Sequence, residues 1–461
     1  MARRLIGTTF LTAALLLILT AARVRSVRHP SAAKPLRATR SFVITDKAIV
    51  GSFTLERVLT QLIARSGVNG LTAPQLVRQM FDTQNPRPGV ADPNGPHCDD
   101  TVLAGVPSFN GFPRRCPTPE GKLAETPYLA DEYFTLGIVN RFDLAPPDGS
   151  NCGQYRLIFA RRESDPLVQL HLIFEPVLPN PNPAAGLSGC RPVAQFWSDL
   201  SSVDSMEERR ARMDEFFFEG LRGFAPVIDP ANFAEPGGIR TLHQTIPAPA
   251  NRLYQFRLEK QCSSGDCTLR FVPDVLENMP FTLLFDANGT NTLQGQAFRD
   301  EFITQVAALA TPDVNLFHMK ISKQYLMVES NPVDSFIGFA YGLPFNNAKN
   351  TAKGAAFRTR IQTELDRIGS TLTPEQIVLR AEVETCVGCH GLGATNIGGG
   401  IILTPGFQGQ QMISEDILMD GEAGPLTRYG VDPIIEQQFL PHRMQILQDF
   451  LKSGKPPVHS K

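Results

Sequence analysis

The 461-residue chain is poor in several things at once. It has one tryptophan and eight histidines, and 44 Lys and Arg against 46 Asp and Glu leave a formal net charge of −2. Charges that nearly cancel give no overall pull toward nucleic acid or an anionic membrane. No Lys/Arg cluster interleaved with aromatic residues occurs either, so nucleic acid is not an expected partner. Common catalytic signatures are also missing. There is no Gly-x-Ser-x-Gly elbow, no His-Glu-x-x-His pair and no Gly-x-x-x-x-Gly-Lys-Ser/Thr loop. Their absence removes the simplest routes to a hydrolase, a zinc protease or a nucleotide-binding enzyme.

What the chain does have is length and 42% hydrophobic residues, enough for more than one core. Its first residues read as an export signal. Arg3-Arg4 is a basic start, Leu5 to Ala22 is uncharged and mostly apolar, and Ala21-Ala22 or Ser26 offers a cleavage point. The same stretch is long enough to be an uncleaved anchor, followed by Arg23, Arg25 and Arg28. On either reading the body is expected outside the cytoplasm, in a periplasmic or extracellular space, with membrane contact only through such an anchor.

Eight cysteines are present. Six of them, Cys98, Cys116, Cys152, Cys190, Cys262 and Cys267, show no metal-ligand spacing, and an even number in an exported chain suggests disulfides. Proximity in sequence suggests Cys98–Cys116, Cys152–Cys190 and Cys262–Cys267. The last pair brackets the turn sequence Ser263-Ser264-Gly265-Asp266 between two strand-like runs.

The other two cysteines lie in Cys386-Val387-Gly388-Cys389-His390. Cys-x-x-Cys-His is the attachment sequence of a c-type haem. On a helical turn, positions i, i+3 and i+4 share a face, so two thiols reach the porphyrin vinyl groups while the imidazole turns to the iron. Half a zinc site is the first alternative, but zinc wants four ligands and no second pair follows. A thioredoxin-like redox pair is the other, and it wants a preceding strand where this chain has a helical pattern.

Residues 371–461 resemble a small, all-helical mono-haem cytochrome c domain. The features carrying the resemblance are the helical run Thr373-Pro374-Glu375-Gln376-Ile377-Val378-Leu379-Arg380, the attachment sequence with Gly391, the glycines Gly398-Gly399-Gly400, and a final helix. The resemblance implies one covalent haem c per chain, held through thioethers at Cys386 and Cys389 with His390 as proximal iron ligand. It also implies a Met on a loop before the last helix as sixth ligand. Met412, in the Gly/Gln loop 406–412, is the favoured position and Met419 the next. Met444 falls on the stripe Leu440, Met444, Leu447, Leu451 and reads as core packing, while His442, beside Arg443, faces solvent or a haem propionate. An open iron site is the alternative. Arg443 or Arg428 is a candidate for balancing propionate charge.

The rest of the chain reads as scaffold. Two helices are expected within 42–84, one with Leu55, Val58, Leu59, Leu62 and Ile63 inward, and one opened by Thr72 with Leu76, Val77, Met80 and Phe81 inward. Residues 85–127 form a long Pro/Gly-rich connection. Strands follow at 134–141, 155–160 and 168–174, the last with its even positions apolar, so that His171 points to the outer, solvated face. Helices are expected at 193–200, 205–224, 295–310 and 348–369, and a hairpin from 253–258 and 267–272. Phe216-Phe217-Phe218 reads as core, Asp286-Ala287-Asn288-Gly289 as a turn rather than a calcium loop, and Arg141 with Asp143 as an ion pair.

The expected organisation is multidomain. A signal peptide or anchor (1–26) precedes a helical N-terminal region (27–128), an α+β domain with an antiparallel or mixed sheet (129–345) and a connecting helix (346–370). An all-α cytochrome c-like domain (371–461) closes the chain. The expected function is an exported electron carrier that exchanges single electrons with a redox partner protein or a small-molecule donor. A haem enzyme or gas-binding sensor with an open iron site is the alternative.

Overall fold

Why the first helices form is visible in their ends. Thr54 caps α1 (Leu55–Ser66) by accepting from the Arg57 N–H, and Gly67 closes it in the left-handed conformation. Thr72 and Gln75 form a reciprocal capping box at the start of α2 (Ala73–Asp82). The computed structural model of the chain describes residues 36–162, 168–245, 252–263, 266–289, 292–330, 341–385, 398, 413–414, 427–433 and 435–454. Both helices bury the apolar positions expected of them.

They lie on one face of an eight-stranded sheet. Its strands are β1 (Val43–Ile44), β2 (Tyr133–Arg141), β3 (Asn151–Arg162), β4 (Val168–Glu175), β5 (Val177–Pro179), β6 (Gly238–Thr245), β7 (Arg252–Ser263) and β8 (Asp266–Asp274). The order is β1-β2-β3-β4-β6-β7-β8, with β5 also on β3, and every pairing is antiparallel. Leu157, Phe159, Leu172, Phe174, Ile239, Phe256, Leu258, Leu269 and Phe271 point from one face into the first core. Helix α3 (Arg191–Ser201) adds Trp197, stacked on Tyr155 at 5.7 Å, and Phe216 meets both rings edge-on. The phenylalanine run is core packing at Phe216 and Phe217, while Phe218 is half-buried under the Arg57 guanidinium.

His171 departs from the sequence expectation, being 4% exposed. It stands opposite Leu242 across the β4–β6 pair, on the second face. That face is covered farther along by Leu253, Leu276, Met279 and Met327. Alternation along one strand shows which face is apolar. It does not show that a later segment will fold over the other face.

The three disulfides join the expected partners. Cys98–Cys116 ties the Pro/Gly-rich connection, Cys152–Cys190 ties β3 to the start of α3, and Cys262–Cys267 closes the β7–β8 hairpin. Asp286 accepts from the Asn288 N–H, so its segment is a turn. Among the described residues, no helix is long and apolar enough to cross a membrane, and no cluster of His, Cys, Asp and Glu is placed to hold a metal ion.

The expected all-α C-terminal domain is overturned. Helices α4 (Thr292–Leu309), α5 (Gly342–Asn347), α6 (Ala352–Arg367) and α7 (Pro374–Val383) build a second core around Phe285, Phe298, Phe302 and Ile361. Helix α7 enters it through Ile377, Val378 and Ala381. The last helix, α8 (Leu440–Ser453), instead sends Leu440, Leu447 and Phe450 into the first core beside the sheet, with Tyr429, Val431 and Ile435. Between them, Ile413–Ser414 pairs antiparallel with Gly430–Val431. The tail is therefore mixed in structure and shared between two cores. An amphipathic stripe specifies burial but not the partner that provides it.

Candidate functional site

Cys386, Cys389, His390 and Met412, as well as Met419, lie outside the described residues. What is described is the chain entering the attachment sequence and one residue beyond it. Helix α7 starts with a Thr373–Gln376 capping box and Pro374 in its first turn. Its last turn is held by polar groups. Arg380, fully buried, donates Nη1 to the carbonyls of Leu309 (2.8 Å) and Thr311 (2.7 Å), and Nη2 to that of Gly398 (2.8 Å). Glu384 accepts from the Met319 N–H at 2.7 Å, and Thr385 donates its hydroxyl to the Glu382 carbonyl.

Burial pushes the Glu382 carboxyl up to about 7, although the Gly342 and Tyr341 N–H groups donate to it. Phe439 packs against the small cluster of Val314, Phe317 and Val383, bringing the run-up to α8 beside the end of α7. Gly398 sits at φ +84°, and a Cβ there would stand 2.5 Å from Leu372 Cδ2. Only glycine fits that turn.

The cysteine ledger bears on what this segment can bind. Six of the eight cysteines are consumed by three disulfides, none of which reaches residue 386 or 389. The remaining two thiols therefore have only each other, or a partner that is not cysteine. Two thiols and an imidazole in this order suit a porphyrin with two vinyl groups and an axial iron position. Of the proposed propionate partners, Arg428 forms a backbone bridge with Asp46, and Arg443 lies 3.9 Å from Asp143.

A second polar constellation lies in the body. The β6–β7 register sets Thr241 opposite Tyr254 and His243 opposite Arg252, all on the face that carries the first core. The 3₁₀ segment Pro119–Glu125 lowers Glu120 onto them. Its Oε1 is 2.5 Å from His243 Nδ1 and 3.8 Å from Arg252 Nη1. Glu329 bridges to Tyr254 where β8 has ended, and accepts from the Arg115 N–H at 3.0 Å. Arg114 is buried close by.

Charge at this patch divides in two. Burial raises Glu120, but the hydrogen bond and charge of His243 outweigh it and hold the carboxyl below its ordinary value. An ionised Glu120 accepts from His243 Nδ1–H across 2.5 Å, which fixes the orientation of the ring. Burial pushes Glu329 up to about 7 against the Arg115 N–H, Arg114 and Tyr254, so both its protonation states are populated at neutral pH. Glu120 Oε2, His243 Nε2, Thr241 Oγ1 and Arg114 Nε are buried with no hydrogen-bond partner. The patch thus places a carboxylate-oriented imidazole and a second carboxyl that titrates near 7 on one face of the sheet.

No sequence motif announces this patch. Its acids are isolated in sequence, and no strand was expected at 238–245, where His243 sits. Alternation in Gly238-Ile239-Arg240-Thr241-Leu242-His243 was the one available signal. The expected Arg141–Asp143 ion pair is present, with Arg141 Nη2 donating to Asp143 Oδ2 at 2.9 Å. Comparison with known proteins adds no relative: no protein-family model, no curated protein and no solved structure matches the chain.

Proposed function

We propose that the chain is an exported c-type cytochrome that carries one haem on Cys386 and Cys389, with His390 as axial ligand, and exchanges single electrons with a redox partner. The observation that carries this reading is that the other six cysteines pair among themselves, so Cys386 and Cys389 of Cys-x-x-Cys-His belong to none of those three disulfides. Disulfides also accord with an oxidising, extracytoplasmic compartment, where such a cofactor is attached.

Haem held in this way supplies an iron centre that changes by one electron, at a potential set by its axial ligands. The chain's own part is positional. Arg380 and Glu384 fix the end of α7 that leads into Cys386, and the Arg380 guanidinium also holds Gly398. Met412 is the proposed sixth ligand. The partner is a redox protein or a small-molecule donor.

The test is expression in a host able to attach haem c. The purified chain should be coloured, carry haem through denaturing electrophoresis, and exceed the mature polypeptide by the mass of one haem. The Cys386→Ser/Cys389→Ser chain should be colourless. A colourless wild-type chain of unmodified mass refutes the reading.

One observation favours a second reading, a haem enzyme with an open iron position. Glu329, a buried carboxyl raised to about 7 beside Tyr254, is a feature that electron transfer alone does not call for. Carbon monoxide separates the two. An unchanged reduced spectrum supports the carrier with Met412 bound, and a prompt shift supports the enzyme.

A further inference from the structure

We propose that Arg141, Arg156 and Arg443 form an oxyanion-binding site at the junction of β2, β3 and α8, distinct from the attachment sequence and suited to phosphate or a small carboxylate.

Register brings two of the three together. Arg141 stands opposite Gln154 and Val139 opposite Arg156 across the β2–β3 pair, so Arg141 and Arg156 share a face. Helix α8 places Arg443 against the turn that follows β2, 3.9 Å from Asp143 Oδ2 and with its guanidinium 5.8 Å from the Phe439 ring.

Asp143 is already committed. Arg141 Nε approaches Oδ1 at 3.0 Å and Oδ2 at 3.1 Å, and its Nη2 approaches Oδ2 at 2.9 Å. Glu175 is the next carboxylate, and it is divided between Arg156 and Arg240, each Nε 3.0 Å from one of its oxygens. Arg156 Nε also reaches Gln154 Oε1 at 2.6 Å, and Arg240 Nε reaches Gln255 Oε1 at 3.3 Å. Glu277 stands at the exposed rim, 3.8 Å from Arg240. Among the described residues, these two buried carboxylates are thus shared by four guanidinium groups.

Arg443 comes off worst. Its side chain is 11% exposed, and it forms no hydrogen bond among the described residues. The charges acting on it are Arg141, Asp143 and Arg156, two repelling and one attracting. Burial together with those two cations pulls its pKa down to about 9 despite Asp143. A buried guanidinium without a bonded counter-charge is costly, and the fold retains this one beside two more. An oxyanion in reach of the three supplies the absent charge and accepts in the forked geometry that arginine offers. Phosphate is the best-matched probe, because it carries between one and two negative charges and several acceptor oxygens at neutral pH.

The experiment titrates inorganic phosphate into the full chain by calorimetry, with chloride at matched ionic strength as reference. It uses the haem-loaded protein and the Cys386→Ala/Cys389→Ala chain. Phosphate should bind with a heat that chloride does not reproduce and raise the melting temperature. Arg443→Gln should weaken binding at least tenfold, whereas Arg360→Gln, at a surface ion pair elsewhere, should leave it unchanged. If Arg443→Gln does not fold, Arg443→Lys serves. It keeps the charge and loses the fork, and should bind at least threefold more weakly.

Binding in both forms assigns the site to a free anion. Binding only in the haem-free chain assigns the same site to carboxylates of the cofactor. No phosphate-specific heat in either form, or affinity indifferent to Arg443, overturns the proposal. Failure of haem attachment leaves it standing, since the site needs none of the attachment residues.

Discussion

Arg380 and Gly398 are joined by a 2.8 Å hydrogen bond from Nη2 to the carbonyl oxygen, and the whole attachment sequence lies between them in the chain. The same guanidinium also holds Leu309 and Thr311. One side chain therefore joins helix α7, the carbonyls of Leu309 and Thr311, and Gly398, eight residues after His390. Arg380→Met leaves buried carbonyls without their donor, and each such loss costs about 1–3 kcal/mol. The variant should unfold at clearly lower denaturant. Among molecules that do fold, fewer should carry haem than in an Arg360→Met control. Haem per chain, measured against protein mass, checks this.

Glu329 gives stability a pH dependence of known sign. Its carboxyl ionises near 4.5 when unfolded and near 7 in the folded chain. The folded state binds the extra proton, so this contribution is full below about pH 4.5 and is lost as pH rises to about 7. The full swing is about 3 kcal/mol. Glu382, also raised to about 7, acts in the same direction. Glu329→Gln should gain stability relative to wild type between pH 5 and pH 8 and flatten the slope without abolishing it. Urea unfolding at the two pH values decides the matter. A wild-type chain as stable at pH 8 as at pH 5 would contradict it.

Asp143 has the opposite sign. Burial opposes its charge, but Arg141 and Arg443 hold its carboxyl down at about 2. Its contribution is present above about pH 3.8 and lost as pH falls through about 2. Asp143→Asn should cost about 3 kcal/mol at pH 7, as expected for breaking a buried ion pair, and the cost should shrink toward pH 2. Melting curves of both chains from pH 7 down to pH 2 test this.

The three disulfides should rank by the loops they close. Sequence separations of 38, 18 and 5 residues place Cys152–Cys190 first, Cys98–Cys116 second and Cys262–Cys267 last. On a chain-entropy argument, their contributions are about 4, 3 and 2 kcal/mol. Paired Cys→Ala variants, compared by melting temperature, should fall in that order.

Some of this architecture is readable along the chain, and specific residues show why. Thr54 and Thr72 cap the helices they precede because capping is settled by a hydroxyl and an N–H a few residues apart. Each disulfide joins two cysteines consecutive among the first six, and the Arg141–Asp143 pair is two residues apart. His171 is the counter-example. Its strand period placed it correctly on the second face, but its burial depends on chain more than a hundred residues later. The tail is another. The stripes of α7 and α8 are plain in sequence, yet one joins the second core and the other the first.

Along the chain, residue order settles what is short-range: caps, strand periods, and the ordering of two thiols and an imidazole at Cys386, Cys389 and His390. Those features need only neighbours within a turn or two. Folding settles the rest. Glu120, His243, Tyr254 and Glu329 become one acid–base enclosure, and Arg443 becomes a third cation beside Asp143, through the β6–β7 register and the docking of α8. Burial then pushes Glu329 up and Arg443 down, because the cost of ionising a group depends on what surrounds it and not on its neighbours in sequence.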